Sequence, residues 1–85
     1  MWGVMETIRR YLRRLEKNQL RKLFDLCNLT DTEKKLLIYA YVKGELVEKT
    51  SNELNISPRQ YHYMHNVALA KVECKIIELD HIRNL

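Results

Sequence analysis

Between Leu54 and Val72 the chain carries no acidic residue, and inside that stretch Arg59, Gln60, His62, Tyr63 and Asn66 fall close together. These side-chain types suit the edges of nucleic-acid bases. Arginine grips guanine through two donors, asparagine or glutamine pairs its oxygen and nitrogen with adenine, and tyrosine touches a thymine methyl or a phosphate. A plain solvated helix face would instead carry Glu and Lys pairs. Ser57 is a strong N-cap candidate, and Pro58 suits the first helical position, where its missing N–H costs nothing. A helix begun at Ser57 turns Pro58, Arg59, His62, Tyr63 and Asn66 outward, with Gln60 at the edge. Its inner face is Tyr61, Met64, Ala68 and Val72, and the same periodicity runs on through Ile76 and Leu79 towards Ile82.

Such a face needs elements that hold it. Val47, Thr50, Ser51 and Leu54 recur at helical spacing, and Asn55-Ile56-Ser57-Pro58 then changes direction, which makes a helix-turn-helix. Ser51 supplies the small side chain wanted where the helices cross, Ile56 plugs the turn into the core, and Leu54 and Tyr61 close the angle. Phosphates would be held by the N-terminus of the second helix and by Lys49 and Lys71. Upstream, Leu29-Thr30-Asp31-Thr32-Glu33 reads as a capping box with Leu29 at the staple position. It predicts a helix from Asp31 to Val42 that buries Leu36, Leu37, Ala40 and Tyr41 and ends at Lys43-Gly44.

The first segment carries Val4, Ile8, Tyr11, Leu12 and Leu15 on one side and Arg9, Arg10, Arg13, Arg14 and Lys17 on the other. After Leu15 the apolar phase shifts to Leu20, Leu23, Phe24 and Cys27, so either one helix curves there or two short ones meet. Up to Asn28 basic residues outnumber acidic ones, and from Leu29 onward they balance, so the net charge of +4 is N-terminal. That basic side has three readings: an arm tracking phosphates, a surface for an acidic partner, or a solvated face whose arginines pair with Glu6 and Glu16. A place on an anionic membrane fits less well, because exposed aromatic anchors are few. Met1, Trp2 and Val4 beside a short core offer an oligomer contact.

Composition narrows the class. Eighty-five residues, 46% of them hydrophobic, with two Gly and one Pro, predict helices joined by short connections. No stretch approaches the roughly 20 apolar residues of a membrane span, and the start lacks the pattern of a signal peptide, so a cytoplasmic protein is expected. Cys27 and Cys74 show no metal or redox spacing and read as small buried residues. His62-x-x-His65 lacks further ligands for a metal, with His62 facing DNA or water and His65 at the core boundary. There is no phosphate loop and no nucleophile with a nearby base, so no enzymatic activity and no cofactor are expected.

The stretches Leu29-Thr30-Asp31-Thr32-Glu33, Val47 to Leu54, Asn55-Ile56-Ser57 and Ala68-Leu69-Ala70-Lys71-Val72 resemble the promoter-binding region 4 of bacterial and phage sigma factors, over Leu20 to Val72. Ile56-Ser57-Pro58-Arg59-Gln60-Tyr61 is similar to the opening of the recognition helix in ArpU-type regulators of phages and mobile elements. Where the sigma family often places arginines late in the helix after the capping box, this chain has Ile38 and Ala40. The resemblance implies a transcriptional regulator; a complete sigma factor would need a further domain for which 85 residues leave no room.

The resulting expectation is one all-α domain over 1–85, a four- to five-helix bundle containing a helix-turn-helix. It comprises a basic N-terminal part over 4–27, the helix-turn-helix part over 30–72 and a helical extension over 73–85. Double-stranded DNA is the expected partner. The alternative is a protein-interaction module of the same fold that binds RNA polymerase or another regulator, and small terminase-like or recombination-directionality proteins use such domains too. Val72, Ile76, Leu79 and Ile82, with Ile77 and Leu85 partly off the stripe, give more apolar surface than one short bundle needs. That favours a homodimer through the first and last helices, unless these stripes close on each other within one chain.

Overall fold

The computed structural model describes the backbone of residues 2–83 and the side chains of residues 6–80, and among them it is all-helical, without strands. The elements are α1 (Trp2–Arg14), α2 (Lys17–Leu26), α3 (Asp31–Leu37) continued by a π-helical segment (Ile38–Val42), α4 (Val47–Leu54) and α5 (Pro58–Arg83). The side chains of Met1, Trp2, Val4, Ile82 and Leu85, assigned above to apolar stripes or an oligomer contact, lie outside the described residues.

The basic N-terminal part is two helices. The break falls at Leu15-Glu16, where the Glu16 N–H donates to the Gln19 side-chain oxygen at 2.9 Å and starts α2 afresh. This re-phases the apolar stripe, so Ile8 and Leu12 of α1 and Leu20, Leu23 and Phe24 of α2 are all buried. The start of α3 is the predicted capping box: Thr30 N–H donates to Glu33 Oε1 at 2.9 Å, and Glu33 N–H donates to Thr30 Oγ1 at 3.2 Å. Its end differs from a plain α-helix. Lys43 N–H bonds back to the Ile38 carbonyl at 3.0 Å, a five-residue step that adds one residue to the turn. Val42 is thereby buried, while Ala40 and Tyr41, predicted to be buried, are half-exposed. Gly44, at φ +67°, then ends the helix in the left-handed region that glycine adopts without strain.

α5 is the central element and packs against α1, α2, α3 and α4. Its 26 residues span roughly 39 Å at 1.5 Å per residue, which accounts for most of the 43 Å long axis. Leu69 and Val72 of α5 meet Leu12, Phe24, Leu36 and Leu37 in a fully buried core. Burial of each such side chain stabilises the fold by about 1.5–3 kcal/mol. Two expectations about this region are corrected. Cys27 is buried but Cys74 is exposed, because it sits on the side of α5 away from the core. Leu79 is also exposed, since α5 there has run past most of its neighbours.

Candidate nucleic-acid interface

α4 and α5 meet at a fixed angle because small residues stand where they touch: Thr50 and Ser51 are buried, and Leu54 and Ile56 pack partly against the core. The chain reverses at Asn55, whose φ of 58° and ψ of 44° are left-handed. Ile56 N–H donates to the Ser51 carbonyl at 3.0 Å, closing the end of α4. Left-handed backbone is costly for most side chains and tolerated by asparagine, which explains the residue type. Ser57 then caps α5. Gln60 N–H donates to Ser57 Oγ at 3.1 Å, and Ser57 N–H donates to Gln60 Oε1 at 2.9 Å.

Ser57, Pro58, Arg59, Gln60, His62, Tyr63 and Asn66 are all exposed, Tyr63 at 71%. At 3.6 residues per turn, Arg59, His62, Tyr63 and Asn66 fall on one face, away from the buried Tyr61, His65 and Ala68. Two members of the predicted set have other duties. Gln60 gives its oxygen to the cap, and a two-point contact with adenine needs that oxygen, so Gln60 serves the helix start. Lys71 is half-buried, and its Nζ lies 2.8 Å from Glu33 Oε1, about 20 Å along the helix from Pro58. Burial pushes the Glu33 carboxyl up, but the Lys71 ammonium and the bonds from Thr30 outweigh it and hold the group below its ordinary value. Lys71 therefore anchors α5 to the start of α3. Lys49 is exposed on α4, with Nζ 4.0 Å from Glu45 Oε2.

The arginines of α1 divide. Arg10, Arg14 and Lys17 are exposed, with Arg10 3.3 Å from Glu6, the pairing foreseen for a solvated face. Arg9 is half-buried, and together with Arg13 it lines a cleft of about 280 Å³ shared with His62 and His65 of α5 and Tyr41 of the π-helical segment. Tyr11 lines a separate cleft with Ile76 and Leu79, so α1 crosses α5 between the two.

Beneath the first cleft lies a stack that the residue pattern did not disclose. His65 lies beside both Tyr41 and Tyr61, with centroids 5.7 and 5.8 Å away and near-parallel rings, and its Nε2 lies 2.8 Å from the Tyr41 hydroxyl. Burial, then the nearby Arg9 and His62, lower the His65 pKa to about 4. The ring is neutral at pH 7, and which partner of the Tyr41–His65 bond donates depends on its tautomer. Burial raises the pKa of both tyrosines, against the opposing pull of Arg9. The Tyr61/His65 spacing was visible in the sequence; the arrival of Tyr41 depends on the extra residue in the π turn.

Among the described residues no three His, Cys, Asp or Glu side chains are placed to share a metal ion, and no helix is long and apolar enough to cross a membrane. Compared with family models, curated proteins and solved structures, the chain matches none.

Proposed function

We propose that this protein is a sequence-specific double-stranded DNA-binding regulator that lays the start of α5 in the major groove. The observation that carries the reading is the carboxylate-free face of Arg59, His62, Tyr63 and Asn66, exposed together on a helix whose cap is satisfied and whose angle to α4 is fixed by Thr50 and Ser51. Arg59 and Asn66 are the base-reading groups, His62 and Tyr63 flank them, and Lys49 meets phosphates. In this reading the protein acts without catalysis, in the cytoplasm, in the manner of the phage and mobile-element regulators it resembles.

Selection of bound duplexes from a random pool tests this directly. An enriched motif whose affinity falls steeply with salt, through counterion release, is the expected result. Failure to enrich any motif, with no duplex binding at low salt, would overturn it.

The second reading is a protein-docking module for RNA polymerase or another regulator. It is favoured by the exposed apolar side chains Leu46 (77%) and Ile77 (60%), and by a groove of about 480 Å³ along Val67, Ala70 and Cys74. The same surplus suits a second copy of the chain, and a homodimer is the arrangement we favour, because two reading helices then address a two-fold site.

A further inference from the structure

We infer that the cleft between α1 and the start of α5 is a seat for a phosphate group, gripped by Arg9, Arg13 and His62. Where that phosphate belongs to a duplex, the inference rests on the DNA-binding reading; the seat itself does not. Arg9 Nε is buried and has no hydrogen-bond partner in the protein. Water cannot reach that atom from the cleft either, so the seat rests on the guanidinium groups that line the cleft and not on Nε itself. The cleft's 280 Å³ is many times the ~30 Å³ share of one water, so a tetrahedral oxyanion fits.

The charges agree. Two guanidinium groups, whose planar forks match phosphate oxygens, face the cleft together with an imidazole. Its one lining carboxylate, Glu45, is engaged elsewhere: Oε1 accepts the Thr50 hydroxyl at 3.1 Å, and Oε2 lies 4.0 Å from Lys49 Nζ. The floor is the neutral Tyr41–His65–Tyr61 stack, which keeps water away from one side of the guanidinium and strengthens its pull on an anion. Because His62 belongs both to this cleft and to the outward face of α5, a phosphate held here lies beside the bases that Arg59 and Asn66 would read.

NMR of the arginine Nε–H groups during titration with inorganic phosphate, against chloride at equal ionic strength, reads the seat. The expected result is a saturable shift at Arg9 and Arg13 at millimolar phosphate, weakened at least threefold in Arg13→Gln. It should be unchanged in the Arg10→Gln/Arg14→Gln double variant, which removes the same kind of charge from the same helix. Arg9→Lys keeps the charge but loses the fork, and should weaken phosphate binding while the thermal unfolding curve stays in place; wild-type binding by it overturns the inference. In the duplex arm, the slope of log affinity against log salt should fall by about one in Arg13→Gln.

Phosphate binding together with that change in slope assigns the seat to the DNA backbone. Phosphate binding with an unchanged slope, or with no duplex binding at all, keeps the seat and assigns it to a free phosphoester; the second of these outcomes also removes the DNA reading. Duplex binding with no shift at Arg9 or Arg13 and no change of slope leaves the DNA reading standing and overturns the seat.

Discussion

Arg59 and His62 are exposed on α5, and among the described residues neither has an ion pair or hydrogen bond; His62 meets the Tyr61 ring edge-on, so Arg59 is the one whose truncation should act on binding alone. Arg59→Ala is expected to weaken binding to the preferred duplex by about 1–3 kcal/mol and to relax the base preference at one position, with thermal unfolding unchanged. Lys71→Ala is the contrasting variant: it strips the buried Glu33 of its cation, so unfolding should come about 1–2 kcal/mol sooner while duplex affinity holds, as a gel-shift assay and a melt would show together. His65, 7% exposed, governs a pH effect. Its folded pKa, about 4, lies below the ordinary 6.5, so the unfolded chain takes up the proton first as pH falls. The stability it contributes is whole above pH 6.5, declines between 6.5 and 4, and is flat below, a loss of about 3 kcal/mol. Urea unfolding across that window should show this slope in the native chain and not in His65→Phe.

At the scale of elements, the turn between α4 and α5 is the position to probe. Asn55 is left-handed, so Asn55→Ala should cost about 1 kcal/mol and Asn55→Gly almost nothing, as denaturant midpoints would reveal. Ile56→Asp and Leu54→Asp each drive a charge against the core and should abolish cooperative unfolding; a normal melt from either would contradict this turn geometry. These elements were legible because their signals are local. Thr30 with Glu33, Gly44, and Ser57 ahead of Pro58 mark helix ends through bonds within four residues. The inward turn of Arg9, the Lys71–Glu33 pair and the exposure of Cys74 were not legible, because each depends on which helix lies across α5. The outward face of α5 was readable for the same reason its depth was not: periodicity tells which residues share a side, but not how far along the helix its neighbours reach.

For the whole molecule, that reach bears on the proposed homodimer. α5 outruns the bundle, leaving Ile77, Leu79 and Tyr11 exposed next to the cleft that Tyr11 forms with Ile76. Light scattering at rising micromolar concentration is expected to show a dimer mass, and Ile77→Asp to return it to that of one chain without loss of helicity. A single-chain mass at every concentration would remove the dimer and leave the apolar surface to another protein. Tight duplex binding by Ile77→Asp at one half-site, with weaker binding to the full site, would show that reading and assembly reside at opposite ends of one helix.

The π turn at Ile38–Val42 means that local and global preferences disagree at one place in this chain. Regular four-residue hydrogen bonding through the same residues would be an improvement when judged by the helix alone. It would also swing Val42 off the core by about 100° and carry Tyr41 away from His65. The segment is thus a point of frustration that the rest of the fold holds in place. Backbone amides from Val42 to Glu45 should exchange with solvent faster than those of α3 just before them, marking where the molecule yields first.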